Sequence, residues 1–431
     1  MKAMKNTKRR DLMVQSKKRV KKETYPRLRG SWFYSFIPFK IATGGITPLI
    51  PTLALEVNAT PLDLSYLSGT GSLSSMIGGL LWGALSDRFK RRKVFLILGL
   101  IGASLFILAL GLSSSIKELI VVNALYTFFL AATIPLPAAL IAREFRKSEI
   151  GKATGRFNEI GGWAWVAGLI LGLLLLTLTP LKFIPIILGL IGAISVVSAM
   201  KRIREVPVYI NGRPQLSLFM FSPRRISIPR IEDEVIKALS ASTLIMWIGS
   251  MLILTQYPMV VREKGFDGEV LYGLSIASST ISALTYKKVG ELFKGITTYL
   301  LGLEVRIVGM LLLLISTMLS GYSFIALAIL GYLTLGYSWS MISVSSSAII
   351  TERAPEKKKG AVMGSYNFIS STGAIVGSFT SGYIVNSFSA TTDFVLGLTL
   401  TGLSMVPIMM GRGQPLNFGL WLSKRGKGLG L

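Results

Sequence analysis

Apolar runs of about twenty residues recur along most of the chain, and that is the length one helix needs to cross a bilayer. Lipid offers no partner to backbone N–H and C=O groups, so such runs fold as helices that satisfy themselves. Only 16% of the 431 residues are charged, against about 25% in soluble domains. The fold class implied is an all-α membrane protein with little room for a soluble domain. Twelve spans are expected, near residues 31–55, 64–86, 93–112, 119–142, 154–178, 181–200, 236–261, 270–286, 297–319, 323–350, 361–385 and 392–410.

The net charge of +26 sits mostly at alternate helix ends. Arg88–Lys93, Arg143–Lys152, Lys201–Arg225, Lys287–Lys294 and Lys357–Lys359 share one side, and the other side carries few cations. By the positive-inside rule the cation-rich side is cytoplasmic. Both termini then lie inside, as an even number of spans requires. Loop topology accounts for the charge without nucleic acid. Anionic lipid is the expected partner of the basic loops. Cysteine and histidine are absent, which excludes disulfides, Cys/His metal sites and histidine acid–base chemistry. No Gly-x-x-x-x-Gly-Lys-Ser/Thr loop occurs. No catalytic residue, metal or cofactor is expected, and the chain does not read as an enzyme.

Residues 201–235 form the one long polar connection, with Pro207, Pro214, Pro223 and Pro229. It divides two six-helix bundles, residues 31–200 and 236–411, flanked by basic tails at 1–30 and 412–431. The halves also repeat. Shifting Leu140 onto Ile349, by 209 residues, sets Gly151, Gly155, Asn158 and Gly168 onto Gly360, Gly364, Asn367 and Gly377. Parallel repeats about an axis along the membrane normal are a transporter plan.

Between the second and third spans lies Gly83-Ala-Leu-Ser-Asp87-Arg88-Phe-Lys-Arg91-Arg92. This turn resembles the signature of the major facilitator superfamily, Gly-x-x-x-Asp-Arg/Lys-x-x-Arg-Arg/Lys, in position and in sequence. The resemblance covers nearly the whole chain apart from its tails. Gly44, Gly45, Pro48 and Pro51 in the first span, and the segment around Gly360, Gly364 and Asn367, resemble the drug-efflux branch. The resemblance implies two bundles that rock about a central solute site. It also implies a latch in which Asp87 caps the helix starting near Gly360, while Arg88, Arg91 and Arg92 hold neighbouring helix ends. Such a cap contributes about 0.3–1 kcal/mol. The sequence departs from the family pattern in three places: a worn second copy near Tyr286–Lys294, Asn123 where antiporters carry an arginine, and no proline beside Gly161, Gly162 and Gly168. These argue against drug–proton antiport.

Ionisable residues inside spans are functional candidates. Lys40 and Glu159 lie at similar depth, about 13 Å in at 1.5 Å per residue, and are expected to face each other. Further cavity candidates are Tyr34, Asn123, Tyr126, Asn158, Trp163, Trp247, Gln256, Tyr257, Tyr337, Trp339, Tyr366 and Asn367. Aromatics and amides suit an amphiphilic solute. Glu304 and Arg306, in a peripheral helix, read as snorkelling side chains or a support pair more than as solute contacts. The leading expectation is a monomeric secondary transporter of a small organic solute in the cytoplasmic membrane. Export is favoured, and proton coupling is open. Uptake of an organic anion, or a non-transporting sensor or scaffold, are the alternatives.

Overall fold

The computed structural model describes residues 30–89, 91–145, 149–203, 231–291, 294–355 and 359–410. After a 3-10 turn at Ser31–Phe36, the first half contains α1 (Ile37–Glu56), α2 (Pro61–Phe89), α3 (Arg92–Leu110), α4 (Ile116–Leu130), α5 (Pro135–Glu144), α6 (Ile150–Leu178) and α7 (Phe183–Arg202). The second half contains α8 (Glu234–Glu263), α9 (Gly268–Glu291), α10 (Ile296–Ser316), α11 (Gly321–Arg353), α12 (Lys359–Ser387), α13 (Ala390–Leu403) and α14 (Val406–Met410). Two expected spans are each broken in two. Pro135, which has no N–H to donate, follows a 3-10 turn at Ala131–Thr133 and splits the fourth span into α4 and α5. Pro407 likewise opens α14, which completes the twelfth span after α13.

Nine helices among the described residues are long and apolar enough to cross a membrane. The other three spans are α1, α2 and α9. Their Gly, Ser and Thr residues lower their hydropathy, and these helices lie where the two bundles meet. Small residues at that seam let helices approach closely, which is how membrane helices associate. The architecture is twelve membrane-spanning helices in two six-helix bundles.

The sequence repeat reappears as a packing repeat. In the first bundle α6 lies against α1, and a Cβ on Gly168 would sit 2.1 Å from the Ile41 carbonyl oxygen. In the second bundle α12 lies against α8. There, a Cβ on Gly377 would sit 2.5 Å from the Ile248 carbonyl oxygen. Only glycine allows either backbone contact. At the basic end of the second bundle, Asp233 caps α8 by accepting from Ile236 N at 3.0 Å and from Arg353 Nε at 3.1 Å. Partial burial opposes its charge. The bonds from Arg353 and from the Ile236 and Val235 amides outweigh that and hold its pKa below the usual aspartate range. Asp233→Ala should cost about 1 kcal/mol, as lost caps do. With the folded pKa depressed, the contribution is full above the unfolded aspartate pKa and fades as pH falls through the folded value. Thermal unfolding of both proteins at neutral and acid pH reads this: the gap between them should close in acid.

The two ends of the molecule differ. At the end that carries Pro61, the bundles are in contact. Gly382 N donates to Ser65 Oγ at 2.6 Å, and Gln256 Nε2 donates to Pro61 O at 3.0 Å and Ser65 Oγ at 3.1 Å. The Tyr66 and Tyr383 hydroxyls bond each other, Tyr272 Oη donates to the Gly45 carbonyl, and Arg262 donates to that of Leu55. At the opposite, basic end, Gly83 of α2, Gly155 and Gly162 of α6 and Gly364 of α12 have open space where a Cβ would project. Among the described residues, the hydrogen bonds named between the bundles lie toward the Pro61 end, where they form a seal.

Candidate functional site

Beneath the seal lies a cavity of about 210 Å³, lined by Thr47, Ile50 and Pro51 of α1, Leu64, Leu67 and Ser68 of α2, Asn123 of α4, and Leu254, Thr255 and Pro258 of α8. Both bundles contribute. Pro51 and Pro258 cannot donate to the carbonyls four residues earlier, those of Thr47 and Leu254. All four residues line the cavity, so each bundle places a proline-interrupted turn of its helix at the wall. Asn123 is buried and donates to Leu67 O at 3.0 Å. It braces α4 against α2 at the cavity edge.

Lys40 lies seven residues before Thr47 and eleven before Pro51, on the same stripe of α1. Its aliphatic stem rests on α6: Lys40 Cε is 3.6 Å from where a Gly161 Cβ would stand. The expected pairing with Glu159 is not formed. Glu159 is exposed, and two residues from Gly161 on a helix is about 200° of rotation. The two residues share a depth but not a face. Among the described residues Lys40 has no hydrogen-bond or ion-pair partner. Toward the basic mouth a second cleft of about 390 Å³ includes Tyr34, Phe145, Lys152 and Arg156. Arg156 donates to Tyr34 Oη at 3.1 Å.

In the second bundle Trp247 and Trp339 meet edge to face at 5.6 Å. Arg306 stands behind them, 5.7 Å from the Trp247 ring centroid, and its Nε donates to Ser250 Oγ at 2.8 Å. It is buried at 4% exposure, so it supports the Trp247 wall and does not snorkel. Tyr366 bonds Thr243 at 3.0 Å, and Thr243 bonds Tyr299 at 2.9 Å. Asn158 and Asn367, mates in the repeat, are both exposed, as is Trp163. Tyr126 is buried.

The adjacent candidates Gln256 and Tyr257 diverge. Gln256 belongs to the seal. Tyr257 is a core residue, stacked with Phe324 and Phe394 and bonded to Ser316 Oγ at 2.8 Å. In the basic turn Arg92 donates to Ala139 O at 2.7 Å, and Lys93 donates to Met200 O at 2.7 Å near the end of α7. The turn thus ties α3 to α5 and α7 of its own bundle. Arg88 lies over the Phe89 ring at 5.7 Å, and Arg91 is exposed. The Asp87 side chain and the surroundings of Gly360, the expected latch, lie outside the described residues. Sequence reasoning missed Ser65, Tyr272, Gly382 and Asp393. The first three are uncharged and carry no signal in one sequence. Asp393 satisfies the same rule that picked out Lys40, but an expected span start at residue 392 left it looking like a helix end.

The family model of the Major Facilitator Superfamily matches residues 33–378. An MFS-type transporter of Methanocaldococcus jannaschii is 20% identical over 382 residues, which is 85% of this chain and 95% of that protein. The tetracenomycin C resistance and export protein of Streptomyces glaucescens is 28% identical over 125 residues, covering 29% of this chain and 23% of that one. A POT family transporter solved with 5-aminolevulinic acid superposes with a TM-score of 0.71 at 12% identity, over 90% of this chain and 96% of that one. That last likeness concerns the fold alone. A family match over most of the length, two six-helix bundles and a cavity shared between them place the chain in the Major Facilitator Superfamily, as a multi-pass membrane transporter.

Proposed function

We propose that this transporter exports a small amphiphilic organic solute by alternating access. The asymmetry between the ends supports this: the bundles are bonded to each other at the Pro61 end, while at the basic end the described glycines Gly83, Gly155, Gly162 and Gly364 face open space. The Lys/Arg bias assigns the basic end to the cytoplasm, so the state described is open inward. The Trp247–Trp339 pair and the exposed Asn158, Asn367 and Trp163 suit a solute with apolar faces and a few polar groups. Export is the direction named for the Streptomyces relative. In the opposite state, Asp87 caps the start of α12 and latches the basic end. The sequence shows no nucleotide-binding loop, and in this reading the work comes from an ion gradient or from the solute's own gradient. A second reading concerns the solute's charge: Lys40, without a partner among the described residues, favours an anionic group.

Purified protein in liposomes, offered a panel of organic solutes with and without an imposed pH gradient, tests this. Net movement of at least one amphiphile is expected, with anionic congeners preferred. Asp87→Asn should shift the balance between inward- and outward-open states. No transport of any solute would favour a scaffold, and an unchanged Asp87→Asn protein would reduce the turn to a topological role.

A further inference from the structure

One buried carboxylate takes no part in the solute site. Asp393, in the first turn of α13, has no exposed surface. Its Oδ2 lies 2.8 Å from Ser381 Oγ of α12, and its Oδ1 has no partner. The same Ser381 Oγ lies 3.0 Å from Leu252 O of α8. A hydroxyl has one hydrogen and cannot donate to both. An ionised Asp393 only accepts, so one of the two contacts goes unmet beside a bare buried charge. A protonated Asp393 donates from Oδ2 to Ser381 Oγ, and Ser381 donates to Leu252 O. Both contacts are then satisfied in one chain.

The groups facing Asp393 offer no counter-charge. On α8 the nearby ionisable residue is Tyr257, which stacks on Phe394 and bonds Ser316. The last turns of α10 carry no ionisable residue. On α12, Tyr383 turns toward Tyr66 of the other bundle. Among the described residues no cation lies within ion-pair distance of Asp393.

The chain of bonds ends at the seal. Ser381 precedes Gly382, whose N–H holds Ser65. Leu252 lies one turn before Gln256, whose amide holds Pro61 and Ser65. We propose that Asp393 is a proton-binding site that keeps the Pro61 end shut while protonated. On release the carboxyl O–H bond breaks and the proton passes to water on the Pro61 side. The Ser381 hydroxyl then turns from Leu252 O to Asp393 Oδ2. The clamp between α8 and α12 loosens behind the two groups that grip α2, and the seal opens. This rests on the alternating-access reading and names a proton as the ligand that biases it.

The chain has no cysteine, so single-cysteine labelling has no background. Ser68→Cys places a thiol in the cavity below the seal, and Ser114→Cys places one in the exposed loop at the same end. A membrane-impermeant maleimide is applied from the Pro61 side to full-length protein in vesicles, across acid to mildly alkaline pH. The ratio of the two labelling rates cancels the thiol's own titration. We expect the ratio to rise with pH in the parent. In Asp393→Asn, which mimics the neutral acid, it should stay at its acid value throughout. In Ser381→Ala, which breaks the relay, it should be raised already in acid. A pH-independent parent ratio overturns the proposal, as does a parental pH response in Asp393→Asn. Should Asp393→Asn fail to reach the membrane, Ser381→Ala decides, and a parental profile overturns the proposal. Labelling needs no solute, so failure to find a transported compound leaves this result standing.

Discussion

Gly382→Val forces open the Pro61 end of the transporter. A Cβ at Gly382 would stand 2.5 Å from Ser65 Oγ, 2.6 Å from Pro61 O and 2.9 Å from Leu62 Cα. Two of those atoms are α2 backbone and cannot rotate aside. All three belong to the other bundle, so separating the bundles relieves the clash while each stays intact. Overpacking of this kind costs about 1–3 kcal/mol, which moves a two-state balance by about 5- to 150-fold. At constant pH, maleimide labelling of Ser68→Cys from the Pro61 side should rise within that range. Gly168→Val is the contrast. Its Cβ would meet the Ile41 carbonyl oxygen at 2.1 Å within one bundle, and yield of folded protein should fall instead. If Gly382→Val behaves like Gly168→Val, the seal is part of the fold and not a gate.

Lys40→Met should abolish transport of anionic solutes and leave the folded protein as stable as before or more so. Methionine keeps the length of the stem that lies on Gly161 and removes the ammonium. A lysine at the centre of a span costs about 2.5–3.5 kcal/mol on insertion scales and less toward its end, and among the described residues no carboxylate pairs with Lys40, the fourth residue of α1. A paired lysine would give the opposite stability result, because removing one partner of a buried pair costs about 3–5 kcal/mol. Thermal unfolding in detergent together with uptake of anionic and neutral congeners separates the cases. A large loss of stability would restore a carboxylate partner. Unchanged anion transport would remove Lys40 from the solute path.

The spans, the two bundles and the repeat were legible because each is written in local chemistry. Apolar length marks a helix, and glycine marks a close crossing, as Gly168 and Gly377 both show. Rotation about a helix axis was less legible. Depth alone set Lys40 opposite Glu159, while the packing of Gly161 against Lys40 fixes α6 so that Glu159 turns away. Gln256 and Tyr257 look alike as candidates, yet the 100° between neighbours sends one to the seal and the other to the core. Contacts between bundles were least legible. Uncharged residues such as Ser65 and Gly382 make them, and such residues carry no signal in one sequence.

The composition of that seal has a bearing on reversibility. Its bonds join hydroxyls, an amide side chain and main-chain groups, with Arg262 the one charged member named, and Arg262 meets a carbonyl. Hydrogen bonds between neutral groups contribute only about 0.5–1.5 kcal/mol net, because water replaces each partner as it leaves. A closure made mostly of such bonds gains little from staying shut, and its strength depends little on ionic strength.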